Sequence, residues 1–283
     1  MPHWRSVMTQ ALVFDIDNTL TPPREALDRE MAERLGALQT RFALAAGSDL
    51  GLLMSQFFEP LHAYGYRGVF DAFICNGASR YRCSCGDSLA VTPVDEFSLA
   101  GHLGPARFAA LYALLEGLWS DPRFALPESV PIAGPRIIDR QAMINIAPSG
   151  RQRGALSSEA RRSRDEFVAF DTRTGYRERL LPVLRAALDE RLPGNDLLLT
   201  LGGQTSFDLV VRGRDKSFAV SSLLAEGATH VTYFGDALFP GGNDAAVSDF
   251  VASWPGGHCP VDVIQVSDYQ HTARLMEKWM RTP

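Results

Sequence analysis

The sequence predicts an α/β protein: a doubly wound, Rossmann-like parallel sheet interrupted by an inserted α+β domain. Three observations predict it. Short apolar runs alternate with helical stretches near the start of the chain. That rhythm stops near residue 86 and returns near residue 212. The 283 residues suffice for two modest domains, at a prior of about 100–200 residues each.

Residues 11–14 are an apolar run ending in Asp15, the pattern of a strand buried on both faces. Pro22 and Pro23 then break the chain. Leu27, Met31, Leu35 and Leu38 recur at i, i+4, i+8 and i+11, a helical stripe. Residues 41–46 are a second strand, closed by Gly47-Ser48-Asp49, and Leu52, Leu53, Phe57 and Phe58 mark another helical stretch. Residues 69–75 are a third strand and Asn76-Gly77 a turn signal. This βαβαβ alternation specifies parallel pairing, because parallel neighbours need a crossover.

Beyond it, residues 81–91 read as a polar hairpin and 103–119 as a long apolar helix. Residues 137–147 and 197–211 read as strands, and 157–188 as an Arg-rich helical region with a break or kink at Pro182. The opening rhythm then resumes: a helix at 215–225, strands at 231–235 and 261–266, and a helix at 269–280. Residues 1–86 and 212–283 are therefore assigned to the core domain, and 87–211 to the insert.

Composition excludes several classes. Apolar residues make up 46 % and charged residues 22 %, which places the chain among ordinary globular proteins rather than disordered ones. The net charge of −5 gives no electrostatic reason to bind nucleic acid or an anionic membrane. No uncharged apolar run reaches the ~18 residues of a membrane span. The first residues lead into no secretory apolar segment, since Met8 with Ala11, Leu12 and Val13 belongs to the first strand pattern. A cytoplasmic location is expected. Cys75, Cys83, Cys85 and Cys259 are too few for a disulfide scaffold and lack zinc-ligand spacing, so reduced thiols are expected. The six scattered histidines form no ligand pattern.

The chemistry concentrates at strand ends. Asp15-Ile16-Asp17-Asn18-Thr19 follows the first strand, so both carboxylates fall at the carboxyl edge of a parallel sheet, where such folds bind ligands. One carboxylate can attack phosphorus and the other can carry a proton, and together they suit the hard ion Mg²⁺. A polar loop with a helix-capping Asp would have the same composition. Ser48 follows the second strand, Lys216 opens the helix after the insert, Asp236 ends the next strand, and Asn243 and Asp244 follow in a glycine-rich loop. In this order, these pieces resemble the four motifs of the haloacid dehalogenase-like superfamily of phosphotransferases.

The resemblance narrows to the eukaryotic-type phosphomannomutase family. Phe14-Asp15-Ile16-Asp17-Asn18-Thr19-Leu20-Thr21-Pro22-Pro23-Arg24 is similar to its opening, and Ile144-Asn145-Ile146-Ala147-Pro148-Ser149-Gly150-Arg151 to its cap segment. Gly202-Gly203-Gln204-Thr205-Ser206-Phe207-Asp208, Asp215-Lys216, Phe234-Gly235-Asp236 and Pro240-Gly241-Gly242-Asn243-Asp244 continue the pattern. The resemblance implies a superfamily core with the insert as a cap. It implies Asp15 as nucleophile, Asp17 as general acid/base with its backbone carbonyl on Mg²⁺, and Asp236 completing the protein ligands, with Asn243 and Asp244 behind them. Ser48 and Lys216 would hold the transferring phosphoryl group. Arg24, Arg140, Arg151, Gln204, Ser206 and Asp208 would contact a sugar phosphate, joined by either Arg161 or Arg164. Asn18 departs from the glycine usual in the family, and Ala237-Leu238-Phe239 and Ser149 also differ from its usual wording.

Periodicity supports the cap assignment independently: Gln204, Ser206 and Asp208 at i, i+2 and i+4 of a strand share one face, and Phe207 and Leu209 point into a core. Arginines suit phosphate through bidentate, charge-assisted bonds, although a solvated helix face is the ordinary meaning of the Arg161–Arg164 run. The function expected is Mg²⁺-dependent interconversion of hexose 6-phosphate and hexose 1-phosphate through an aspartyl phosphate, with a hexose bisphosphate as primer. A capped sugar-phosphate phosphatase is the alternative, and a non-catalytic sugar-phosphate sensor a remote one. The expected partner is a small sugar phosphate, with neither nucleic acid nor membrane. The apolar run 108–119 could line a homodimer interface in the cap.

Overall fold

A computed structural model describes residues 10–152 and 157–280; Met8 of the first strand pattern and His3 lie outside the described residues. Numbered in chain order, the strands are β1 Gln10–Phe14, β2 Arg41–Ala45, β3 Gly68–Ile74, β4 Ser79–Cys85, β5 Leu89–Asp95, β6 Ile137–Asp139, β7 Ile144–Ile146, β8 Leu197–Gly202, β9 Ser206–Val211, β10 His230–Gly235 and β11 Val261–Gln265. The helices are α1 Arg29–Ala37, α2 Leu50–Leu53, α3 Glu59–Ala63, α4 Leu99–Leu103, α5 Pro105–Gly117, α6 Ser158–Thr174, α7 Tyr176–Arg191, α8 Ser217–Ala225, α9 Ala245–Ala252 and α10 Tyr269–Met280. They fall into two compact units: Met1–Glu96 with Gly213–Pro240 and Asp244–Pro283, and Phe97–Arg212 with Gly241–Asn243.

The first unit is built on a sheet of order β11-β10-β1-β2-β3-β4-β5. The five strands from β11 to β3 are parallel. The wholly apolar runs form its centre: Ala11, Leu12, Val13 and Phe14 of β1 are buried, as are Ala43, Leu44 and Ala45 of β2. Each Leu or Phe so buried contributes about 1.5–3 kcal/mol. Phe14 sits in register with Phe234 of β10, and their rings stack at 4.8 Å. Asp28 caps α1 by accepting the Met31 N–H, so Leu27 and Leu38 flank the helix rather than lie within it.

Two expectations about this region change. The polar hairpin is β4 and β5, and it pairs antiparallel onto β3, giving a mixed sheet. β5, assigned from sequence to the insert, therefore belongs to the first unit; its ladder to β4 holds it there. Edge position also explains Pro93, which lacks an N–H and is tolerated on an outer strand.

The second unit carries an antiparallel sheet of order β6-β7-β9-β8. Ile144, Ile146, Phe207 and Leu209 join Leu111 and Leu115 of α5, Phe167 of α6 and Leu184 of α7 in one apolar core. The Arg-rich helical region breaks at Gly175, not at Pro182. Gly175 takes a left-handed φ of 59° and ends α6, donating its N–H to Asp171. Pro182 lies inside α7, which continues through it to Arg191. All four cysteines are free and buried. No helix of the described residues is long and apolar enough to cross a membrane.

Candidate active site

β1 and β10 are neighbours, so the residues that follow them emerge side by side. The Asp15 N–H donates to the Phe234 carbonyl at 2.9 Å, which locks Asp15 beside Gly235-Asp236. Lys216, at the N-cap of α8, is fully buried, with Nζ 2.7 Å from Asp15 Oδ1 and 2.6 Å from Asp244 Oδ1. Asp244 is held from two further sides: the Tyr233 hydroxyl donates to Oδ1 and the Ala237 N–H to Oδ2. A Cβ on Gly235 would meet the Asp244 carboxyl at 2.6 Å, so glycine there makes room for the acid. Asp15, Asp236 and Asp244 each bring a carboxylate oxygen within 4.8 Å of the others.

Three carboxylates around one ammonium leave excess negative charge. Burial pushes the Asp15 carboxyl well above its usual range; Lys216 opposes this, and the charges of Asp244 and Asp236 add to it. Asp236 is raised too, by burial and by Asp244, against the hydrogen bond from Asn18. Burial alone would lower Lys216, but Asp15 and Asp244 outweigh it and raise it, so the ammonium stays charged. Hard oxygen donors, converging and short of positive charge, fit a divalent cation such as Mg²⁺.

The loop after β1 is wound tightly: the N–H groups of Thr19, Leu20 and Thr21 all reach the Ile16 carbonyl, and Asn18 N–H reaches Thr21. Asn18 takes a left-handed φ of 63°. Glycine and asparagine are the residues that best tolerate this conformation, so Asn18 can stand where the resemblance led to an expectation of glycine. The side chain adds a contact that glycine lacks, from Nδ2 to Asp236 Oδ2 at 3.0 Å. Asp17 is not part of the carboxylate triad. Its Oδ1 accepts the Arg24 N–H at 2.8 Å and Gln56 Nε2 at 2.8 Å. Ser48 is buried on the loop after β2, where its carbonyl accepts the Cys75 N–H.

In the second unit the polar groups converge on the β8–β9 hairpin. Asn145 of β7 stands in register with Asp208 of β9, and its Nδ2 donates to Ser206 Oγ at 2.8 Å and to Asp208 Oδ1 at 2.5 Å. Gly202 permits this, because a Cβ there would meet the Asp208 carboxyl at 2.5–2.8 Å. Arg151 Nη2 lies 3.4 Å from Thr205 Oγ1 and 3.3 Å from Ser206 Oγ. Arg164 Nη2 donates to Gln204 Oε1 at 2.6 Å. Arg177, buried at the start of α7, donates to the carbonyls of Gly203 at 2.8 Å and Ser206 at 3.1 Å, and its Nε pairs with Asp171 at 2.7 Å.

The expected face of Gln204, Ser206 and Asp208 is thus only partly formed. Ser206 and Asp208 share it, but Gln204 lies in the turn between β8 and β9, exposed, because Gly203 with φ of 48° reverses the chain there. Of the two arginines left open, Arg164 reaches the hairpin through Gln204, whereas Arg161 is exposed one turn earlier on α6. Arg140 lies in the β6–β7 turn, Arg24 in the first unit beyond Asp17, and Asn243 groups with the second unit while Asp244 groups with the first.

Four residues escaped the sequence reading: Gln56, Tyr233, Asn145 and Arg177. The signal that could have found Gln56 is the polar pair Ser55-Gln56 between Met54 and Phe57, and for Asn145 it is the polar middle of Ile-Asn-Ile. Tyr233 read as an ordinary strand aromatic, and Arg177 as one more helix arginine.

A sequence profile of the eukaryotic phosphomannomutase family matches residues 37–253. A phosphomannomutase of Schizosaccharomyces pombe is 33 % identical over 239 residues, covering 82 % of each chain. One of Saccharomyces cerevisiae is 29 % identical over 261 residues, 90 % of this chain and 91 % of that protein. Among solved structures, an N-terminally truncated, IMP-bound IMP-nucleotidase of Plasmodium falciparum superposes with a TM-score of 0.64 at 14 % identity, over 96 % of this chain and 68 % of that one, a likeness of fold. The mostly parallel core sheet with its inserted unit, the acidic cluster on buried Lys216 and the profile match together make this chain a member of the eukaryotic phosphomannomutase family.

Proposed function

We propose that this chain is a hexose-phosphate mutase, interconverting hexose 6-phosphate and hexose 1-phosphate through a phosphorylated Asp15. The observation that carries the reading is the buried Lys216 ammonium bonded to both Asp15 and Asp244. It holds the nucleophile's carboxylate in place and sets a fixed positive charge where phosphoryl charge develops, which is the main demand of phosphoryl transfer. Asp15 forms the bond to phosphorus as the bond from phosphorus to the sugar oxygen breaks. Asp17 gives that oxygen its proton and recovers one from the hydroxyl that later attacks. A mutase also needs a second phosphate site, and Arg151 and Arg164, whose side chains reach the β8–β9 hairpin of the second unit, supply guanidinium forks for it. Asp15 and Asp236 with Asp244 beside them, and the Asp17 main-chain carbonyl, would hold Mg²⁺, which when bound neutralises phosphoryl oxygens. We place the protein in the cytoplasm, where its four buried free thiols stay reduced.

The test is incubation with mannose 6-phosphate, Mg²⁺ and a hexose bisphosphate primer, with sugar 1-phosphate and free phosphate measured together. Sugar 1-phosphate is the product expected. Arg151→Ala removes one charge-assisted phosphate contact, worth roughly 1.5–3 kcal/mol or about 10- to 100-fold in bisphosphate binding, and should raise the share of turnovers ending in free phosphate. Free phosphate alone from the wild type, across several hexose 6-phosphates, would make the chain a phosphatase instead.

A further inference from the structure

The reaction outlined above leaves unexplained why the helix after Ser48 is interrupted by a wide, π-helical turn, and why a glutamine is buried in it. The turn spans Met54–Phe58, between α2 and α3. Three residues in succession, Gln56, Phe57 and Phe58, are buried. In an α-helix, steps of about 100° per residue would spread three such side chains over more than half the circumference. Turns of this kind are rare and recur at functional sites.

Gln56 is 3 % exposed. Its Nε2 donates to Asp17 Oδ1 at 2.8 Å and to Thr21 Oγ1 at 3.2 Å. The chemistry fixes which end of the amide faces Asp17, because an ionised carboxylate only accepts. The main-chain carbonyl of Gln56 accepts the Leu27 N–H at 2.8 Å, tying the turn to the segment that leads into α1. Oε1 is buried and has no hydrogen-bond partner among the described residues.

The second donor to Asp17 Oδ1 is the Arg24 N–H, at 2.8 Å. Arg24 takes a φ of 62°, a left-handed conformation that arginine seldom adopts. Two donors on one oxygen fix the rotation of the carboxylate. They also decide which oxygen carries a proton: on Oδ1 it would face two N–H groups, whereas Oδ2 receives neither of them.

We infer that Gln56 is a positioning residue for Asp17, locking its carboxylate so that Oδ2 alone carries the proton to and from the sugar oxygen. The inference rests on the reading of Asp17 as the proton carrier. The proton leaves Oδ2 for the sugar oxygen as that oxygen departs from phosphorus and Asp15 bonds to it. In the return half, the attacking hydroxyl yields its proton to Oδ2 as phosphorus leaves Asp15. Gln56 itself exchanges no proton; without it the carboxylate can rotate, and fewer encounters present Oδ2 in line.

The test compares Gln56→Met with wild type. Methionine keeps the volume and removes both donors. Turnover is followed through whichever product the wild type forms, sugar 1-phosphate or free phosphate, so a failure of the mutase reading shows in the wild type and leaves this comparison intact. Loss of a hydrogen bond to a charged group should lower kcat by roughly 10- to 100-fold, with KM within about twofold and the thermal midpoint nearly unchanged. Gln56→Asn, which withdraws the amide by one methylene, should lower kcat in the same way and stands in if the Met variant does not fold. A Gln56→Met enzyme with wild-type kcat, or one whose KM rises while kcat holds, overturns the inference. So does a fall in kcat confined to Gln56→Asn and matched by lost thermal stability, which is the signature of packing.

Discussion

Replacing Lys216 with methionine isolates what its charge does for the site. Nζ lies between Asp15 and Asp244 at 2.7 and 2.6 Å, wholly out of water. Methionine has nearly the same reach and no charge, so the change leaves two buried carboxylates facing each other, with an oxygen of Asp236 within 4.8 Å of theirs. Removing one member of a buried ion pair costs about 3–5 kcal/mol, because the remaining charge is uncompensated. For a chain of this size, at about 2–4 °C per kcal/mol, the thermal midpoint should fall by roughly 6–20 °C. The pH dependence follows from the direction of the Asp15 shift. Its folded carboxyl holds a proton more tightly than the unfolded one, whose usual value is 3.8. Stability is therefore lost as pH rises above that value toward the folded one. Without Lys216 the shift is larger, so the deficit of Lys216→Met should grow with pH. Thermal unfolding in metal-free buffer between about pH 5 and 8 reads both quantities. A deficit below about 1 kcal/mol, or one that shrinks as pH rises, would refute the account of a charge-starved cluster.

Because the acid cluster carries more negative charge than Lys216 offsets, Mg²⁺ should stabilise the wild type, by about 2.7 kcal/mol at a hundredfold excess over Kd, and so raise its thermal midpoint; Asp236→Asn should lose most of that rise, and an equal rise in both proteins would place the ion elsewhere. Asp71, buried in the middle of β3, accepts from Arg41, from Arg80 at 2.7 Å and from Arg82 at 3.0 Å, and Arg80 also pairs with Glu226 at the end of α8. Burial alone would raise the Asp71 carboxyl, but the bonds from Arg82 and Arg80 hold it below 3.8, so its contribution is present above that pH and lost as pH falls through the folded value. Asp71→Asn should destabilise the protein by about 3–5 kcal/mol at neutral pH and by progressively less in acid; urea titrations at several pH values showing a constant deficit would contradict this. Gly202→Ala pushes a methyl into the buried Asp208 carboxyl and should raise KM for the sugar phosphate while costing about 1–3 kcal/mol of stability; an unchanged KM in the folded variant would remove Asp208 from the substrate contacts.

The residues that the sequence determined by itself are those whose meaning is local. A wholly apolar run such as Leu12-Val13-Phe14 has to be a strand buried on both faces, and an acid placed directly after it has to lie at the sheet's carboxyl edge. Asp15, Asp236 and Ser48 were legible for that reason, and Lys216 and Asp244 only through the order of the motifs and the family resemblance it carries. Where a break depends on one residue's backbone, sequence is a weaker guide: proline usually interrupts helices, yet α7 runs through Pro182, and Gly175, free to take a left-handed φ, makes the break. Tertiary structure alone decided the pairings between distant residues. Gln56 meets Asp17 across 39 positions, Asn145 meets Asp208 across 63, and Lys216 meets Asp15 across 201. The membership of β5 in the core sheet, and the choice between Arg164 and Arg161 at the hairpin, were of the same kind. A side chain's type and its neighbours in sequence set its chemistry and its local conformation. Which donor reaches which acceptor depends on how strands order themselves in a sheet and how helices pack on it, and those are settled only when the whole apolar surface is buried at once.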